Sequence, residues 1–221
     1  MKAHSARVTS KNFREMSGKP LYRWILDTLL SIDAIDRVVI NTDARAELKA
    51  TGLEDGAAGG RVMIRDRKPD LCGDMVSMNL VLADDIDNVG ADIYLMTHTT
   101  NPLLSAETIK RAIADYEDAL QAGKADSLFT VNRVQTRFYR ADGSAVNHDP
   151  GNLIRTQDLE PWFEENSNLY LFTRESFQKT GARIGARPMM FETPALEAID
   201  IDEPDDWTLC DALARYRSSG V

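Results

Sequence analysis

DIYLMTHTTNPLLSAETIKRAIADY, residues 92 to 116, contains one complete unit of strand, loop and helix. Its apolar start has the length and boundaries of a buried strand, and it ends in the polar run Thr97 to Asn101. Ser105 then stands where a helix N-cap belongs, and Ile109, Ala112, Ile113 and Tyr116 line up on one face of an amphipathic helix. The same order recurs upstream. KPLYRWILDTLLSI sets Leu21, Trp24, Ile25, Thr28 and Leu29 at helical spacing behind Pro20. RVVINTD (37 to 43) reads as a buried strand, followed by a helix near 45 to 52, a short strand near Val62 to Ile64 and a helix from around Asp74. This alternation predicts an α/β fold with a mostly parallel sheet and helices on both faces.

Beyond Asp126 the pattern changes. SLFTVNR (127 to 133) is strand-like, whereas residues 134 to 166 keep no period and include the turn-rich ADGSAVNHDPGN. That stretch is expected to leave the sheet as a dimerisation arm or a lid. NLYLF (168 to 172) resumes as a strand, with a short helical turn at Arg174 to Phe177. LEAIDID (196 to 202) predicts the last strand, and Glu203-Pro204-Asp205-Asp206 opens a closing helix carrying Trp207, Leu209, Ala212, Leu213 and Tyr216. With 221 residues and no internal repeat, the chain reads as one domain, 1–221.

Composition narrows the function. A formal charge of −9 argues against general nucleic-acid binding, which depends on Lys and Arg neutralising phosphates. No apolar run approaches the roughly 20 residues a membrane span requires. The start, MKAHSARVTSKNFR, has cations but no apolar stretch behind them, so a cytoplasmic protein is expected. Cys72 and Cys210 lack the spacing of a disulfide framework or a zinc site. Against the acidic background, Lys2, Arg7, Lys11 and Arg14 cluster in the first 14 residues, as a solvated terminus or as a loop that holds a small polyanion. SGKP (17 to 20) adds a turn into a helix N-terminus but lacks Walker A spacing.

Ligands of open α/β sheets bind beyond the carboxyl ends of the strands, which directs attention to Asn41 to Asp43, Thr97 to Asn101 and Asp200 with Asp202. In a strand, Asp200 and Asp202 share one face while Ile199 and Ile201 enter the core. Two carboxylates so placed suit Mg²⁺; alternatively, acids simply favour the start of the helix at Pro204.

Five segments in order, KN with GKPL (11 to 12 and 18 to 21), VVINTD, RKPDLCGD (67 to 74), THTTNPL and AIDIDEPDDW, resemble the acylneuraminate cytidylyltransferase family over nearly the whole chain. The resemblance implies a Rossmann-like nucleotide-diphospho-sugar transferase fold, a homodimer, and transfer of CMP from CTP to an acidic 2-keto sugar with release of pyrophosphate. It implies nucleotide binding by Lys2, Arg7, Lys11, Asn12, Arg67, Asp74 and Ser77, with Asp74 and Ser77 at the helix start and Arg67 at the cytosine pocket. It places His98 and Arg137 at the sugar, Asp200 and Asp202 on Mg²⁺, and Lys11, Asp200 and Asp202 in the catalytic centre.

Two departures accompany it. The chain begins inside the family's basic loop, without the apolar strand that precedes it there; a start assigned about ten residues late is favoured over a loss of that central strand. FEENSNLYLF (163 to 172) also carries acids where sialic acid enzymes place an arginine. Two alternatives stay open: the same fold acting on another acid sugar such as 3-deoxy-octulosonate, and a non-catalytic nucleotide-binding or scaffold homologue.

Overall fold

The computed structural model describes residues 1–3, 8 and 10–218, the last by its backbone alone. Two short strands, β1 (Glu15–Met16) and β2 (Lys19–Pro20), form a hairpin closed by Ser17 and Gly18, both at positive φ. Helix α1 (Leu21–Leu30) follows directly, burying Leu21, Tyr22, Ile25, Leu26 and Leu29 on the face set out by their spacing. Next come β3 (Val38–Thr42), α2 (Arg45–Ala50) and β4 (Val62–Asp66), and β4 returns parallel to β3 with Val38 opposite Val62. Helix α3 (Met78–Asn88), β5 (Tyr94–Thr97) and α4 (Ala106–Gln121) complete the first half, with Ser105 capping α4 through the Thr108 amide.

The second half holds β6 (Ser127–Val134), β7 (Trp162–Phe172), α5 (Arg174–Thr180), β8 (Pro188–Glu192) and α6 (Pro204–Ser218). β8 lies parallel to β6, while the long β7 runs antiparallel between β6 and β5, giving the order β5-β7-β6-β8. The expected parallel ladders are thus present, and β7 adds antiparallel ones. Among the described residues no ladder joins β3 to β5, so β3–β4 and the four-stranded sheet are separate in hydrogen bonding. One core nevertheless spans both. Val38 and Ile64 pack with Leu128, Leu169, Leu171 and Phe191, under Tyr22 and Ile25 of α1 and Ile109, Ala112 and Tyr116 of α4. Truncating a buried leucine here to alanine would cost about 2–5 kcal/mol. Met1 packs against this core, its backbone nitrogen donates to the Asn41 carbonyl, and the Ala3 amide donates to Asp43 Oδ1 at 2.7 Å.

Three expectations change. Residues 196–202 are not a strand; the segment is irregular and ends against α6. Pro194 offers no amide for a ladder, and the segment's polar groups find side chains and loop carbonyls instead, as the Ile201 amide does on Thr100 O at 2.9 Å. The helix expected from Asp74 starts at Met78, because Ser77 supplies the capping oxygen, to the Asn79 amide. The excursion is shorter than 134 to 166: β7 already begins at Trp162 and pairs with the end of β6, Val134 opposite Trp162, so the connection covers 135–161. The acids of this part of β7 hide its strand character, since its stability comes from the cross-strand ladder rather than from burial. Among the described residues, no helix is long and apolar enough to cross a membrane.

Candidate active site

The KN pair of the basic start forms a single 3-10 turn, Lys11–Phe13, entered through Ser10 in the left-handed region. That turn points Lys11 inward. Its Nζ donates to the Ile201 carbonyl and stands 3.5 Å from Asp202 Oδ1, 191 residues away in sequence, and only 8% of the residue is exposed. Asn12 faces two ways: its Nδ2 donates to Lys2 O at 2.8 Å, and its Oδ1 accepts the Thr99 hydroxyl at 2.6 Å. The start of the chain, the loop after β5 and the acidic segment before α6 therefore meet at one place.

Asp200 is half-buried beside them. Burial raises its carboxyl above the usual range, and the charge of Asp202 adds to this, while the Thr100 hydroxyl and Lys11 pull it back. Its Oδ1 is buried and accepts no hydrogen bond. An uncompensated carboxylate oxygen beside a second acid is the condition a cation relieves, so the pair fits Mg²⁺. Among the described residues no group of three or more His, Cys, Asp or Glu gathers, so such an ion would complete its shell with phosphate and water.

His98 lies partly exposed at the end of β5. Its pKa is pushed down to about 4, first by burial, then by the positive charge of Arg183, with Lys11 and Asp202 also acting on it. With its pKa lowered in this way, the ring is neutral at physiological pH. Arg67 is buried after β4 and turned onto β3, with Nε to Asn41 Oδ1 at 2.9 Å and Nη2 to Asn41 O at 3.0 Å. Asn41 in turn donates to Asp85 Oδ1 at 2.8 Å.

The remaining expected residues are dispersed. Lys2 reaches out to Asp74 in an exposed ion pair of 2.8 Å, which holds the Asp74 carboxyl below its usual range. Ser77 caps α3 and lines a cavity with Asn79, Glu165 and Arg183. Arg137 stays within the excursion, Nη2 on the Ile154 carbonyl, and is not brought to the Lys11 centre. Arg7 lies outside the described residues. Arg14 is occupied by the Trp207 ring, its guanidinium 4.3 Å from the centroid. Sequence reading missed Arg183, which sits in the glycine-flanked turn GARIG with no period to mark it.

The family described as cytidylyltransferase matches residues 1–199. The chain is 25% identical over 233 residues to a CMP-N,N'-diacetyllegionaminic acid synthase of Legionella pneumophila, covering 100% of this chain and 96% of that protein. It is 24% identical over 215 residues to an N-acylneuraminate cytidylyltransferase of Oncorhynchus mykiss; 94% of the chain aligns, spanning 47% of that longer protein. In fold it resembles a CMP:2-keto-3-deoxy-manno-octonic acid synthetase complexed with CTP, at TM-score 0.67 and 15% identity over 98% of this chain and 96% of that one. It likewise resembles a 4-diphosphocytidyl-2C-methyl-D-erythritol synthase from Anaerococcus prevotii, at TM-score 0.65 and 12% identity over 97% and 95%.

Proposed function

The chain belongs to the cytidylyltransferase family, and on that premise we propose that it transfers CMP from CTP to an acidic 2-keto sugar, an N-acylneuraminate or related nonulosonate, releasing pyrophosphate in the cytoplasm. The observation that carries this reading is the contact of Lys11 with Ile201 and Asp202, which sets a phosphate-seeking cation against the acid pair.

The anomeric hydroxyl of the sugar attacks the α-phosphorus, the bond to the β-phosphate oxygen breaks, and pyrophosphate leaves. Such chemistry asks the protein mainly for positioning and charge neutralisation. Lys11, with Lys2 and Arg7 of the same basic start, balances the triphosphate. Asp200 and Asp202 would hold Mg²⁺, whose charge offsets that of the triphosphate. Asn12 holds the loop to Thr99, which keeps Lys11 aimed. Arg67 and the loop through Asp74 border the base, and His98 faces the sugar as an uncharged donor or acceptor. Two copies of the chain assemble through the excursion, and Arg137 serves the partner's sugar site.

The test is calorimetry with CTP and ATP, each with Mg²⁺, followed by pyrophosphate release with N-acetylneuraminate, legionaminate and 3-deoxy-octulosonate. CTP is expected to bind at least tenfold more tightly than ATP. Equal affinity for both nucleotides, or CTP binding without pyrophosphate release from any acid sugar, would overturn the assignment.

A further inference from the structure

The cavity at the start of α3, about 320 Å³, is lined by Ser77, Asn79, Glu165 and Arg183 among others. Arg183 dominates it. The side chain is 21% exposed, and its guanidinium lies over the Tyr170 ring, 4.0 Å from the centroid. A guanidinium offers five N–H donors. Its hydrogen-bonding partners among the described residues are soft and neutral: the Tyr170 hydroxyl at 3.0 Å from Nη2 and the Met96 sulfur at 4.0 Å from Nη1. Among the described residues its ion-pair partner is Glu165, 3.6 Å from Nη2 and so beyond hydrogen-bonding distance, which already accepts the Tyr170 hydroxyl. A mostly buried guanidinium left short of acceptors is a receptor for an anion with two oxygens. The start of α3, capped by Ser77, opens onto the same cavity and turns the positive end of its helix dipole toward it.

The turn that carries Arg183 is built to hold still. Both Asp126 carboxylate oxygens accept from it, at 3.1 Å from the Ala186 amide and 2.9 Å from the Arg187 amide. Ser127 Oγ accepts the Gly185 amide at 2.7 Å. A Cβ at Gly185 would fall 2.2 Å from Asp126 Oδ1, so any other residue would push that carboxylate off the amides it holds. Arg183 Nη1 lies 4.0 Å from the Met96 sulfur on β5, and three residues further along the same chain Thr99 holds Asn12 of the Lys11 turn, which brings the cavity to the strand that leads into the Lys11 centre.

We infer that Arg183 receives the carboxylate of the acidic sugar, in the cavity between the start of α3 and β7, with Tyr170 holding the guanidinium flat. This rests on the proposed reaction and assigns the group that selects acid sugars. Glu165 competes with the substrate for the same guanidinium, so its charge should weaken sugar binding.

The experiment is steady-state kinetics with CTP, Mg²⁺ and whichever of the three acid sugars above is turned over, comparing the parent with Arg183→Met, Arg183→Lys and Glu165→Gln. A charge-assisted pair at a partly buried site implies that Arg183→Met raises the sugar KM on the order of 10- to 100-fold with the CTP KM unchanged. Arg183→Lys should recover part of this loss and Glu165→Gln should lower the sugar KM. The carboxamide analogue of the sugar should be used equally poorly by parent and Arg183→Met, since the missing charge is then on the ligand. Thermal unfolding shows which variants are folded; Glu165→Gln and the carboxamide decide the matter if Arg183→Met is not. A folded Arg183→Met protein with the parent's sugar KM, or one whose CTP KM rises in step, would overturn the inference while leaving the reaction intact. A parent that binds CTP and neither binds nor turns over any of the three acids would overturn the reaction itself, and this inference with it.

Discussion

Asp200 is a residue whose charge the fold disfavours and the proposed reaction needs. A carboxyl whose pKa is raised by burial is more stable protonated, so its contribution is complete at pH below the unfolded value and is lost as pH rises through the folded one. At neutral pH the folded chain therefore holds a charge it would shed, next to Asp202 and with one oxygen unpartnered. In metal-free protein, Asp200→Asn should raise the melting temperature at pH 7, by about 2–4 °C for each kcal/mol recovered, and the gain should vanish near pH 3. The same substitution should lower turnover on the order of a hundredfold and abolish the stabilisation that Mg²⁺ gives in the presence of CTP. If the two acids only favour the start of α6, the variant melts slightly lower and keeps its activity. Thermal scans at both pH values beside a turnover assay separate the two outcomes.

At the scale of an element, the segment 196–202 depends on its neighbours for a shape. Asn168, fully buried on β7, donates to the Glu197 carbonyl at 3.1 Å, and Asn101, fully buried after β5, donates to Ile199 O at 3.4 Å. Glu197 answers by accepting the Ser105 amide at 2.9 Å, and the Ile201 amide rests on Thr100. These side chains replace a strand ladder, and they are what aims Asp200 and Asp202. Asn168→Ala leaves the Glu197 carbonyl short of a donor and should cost about 1–3 kcal/mol in urea unfolding. Turnover should fall further than the fraction of folded protein does, because the acid pair loses its aim while Lys11 remains. An unchanged urea midpoint, or activity that tracks the folded fraction alone, would show that the clamp does not position the site.

For the whole molecule, the arm of β6 and β7 is the least explained part of a single copy. Leu153, Ile154, Trp162 and Phe163 are between 40% and 63% exposed, and Phe138 stacks on Trp162 at 5.1 Å without covering it. Exposed apolar side chains of this kind are what the proposed dimer would cover. The chain should run as a dimer in light scattering at micromolar concentration, and Trp162→Ser with Phe163→Ser should convert it to monomers. The folded monomer should keep CTP binding but lose sugar affinity if Arg137 works across the interface. A monomeric parent would remove the dimer from the proposal.

Sequence alone determined the alternation of strands and helices, the cap at Ser105, and the segments that mark the family, because periodicity and capping are short-range and written in neighbouring residues. It also picked out Lys11, Asn12, Asp200 and Asp202, each within a compact local motif. Only the tertiary structure decided that Lys11 meets Ile201 across 190 residues, that two buried asparagines stand in for the expected last strand, and that the start of β7 is a ladder despite its acids. It alone placed Arg183 opposite Glu165. Such pairings carry no period, since they are set by how sheets and helices close over a shared core.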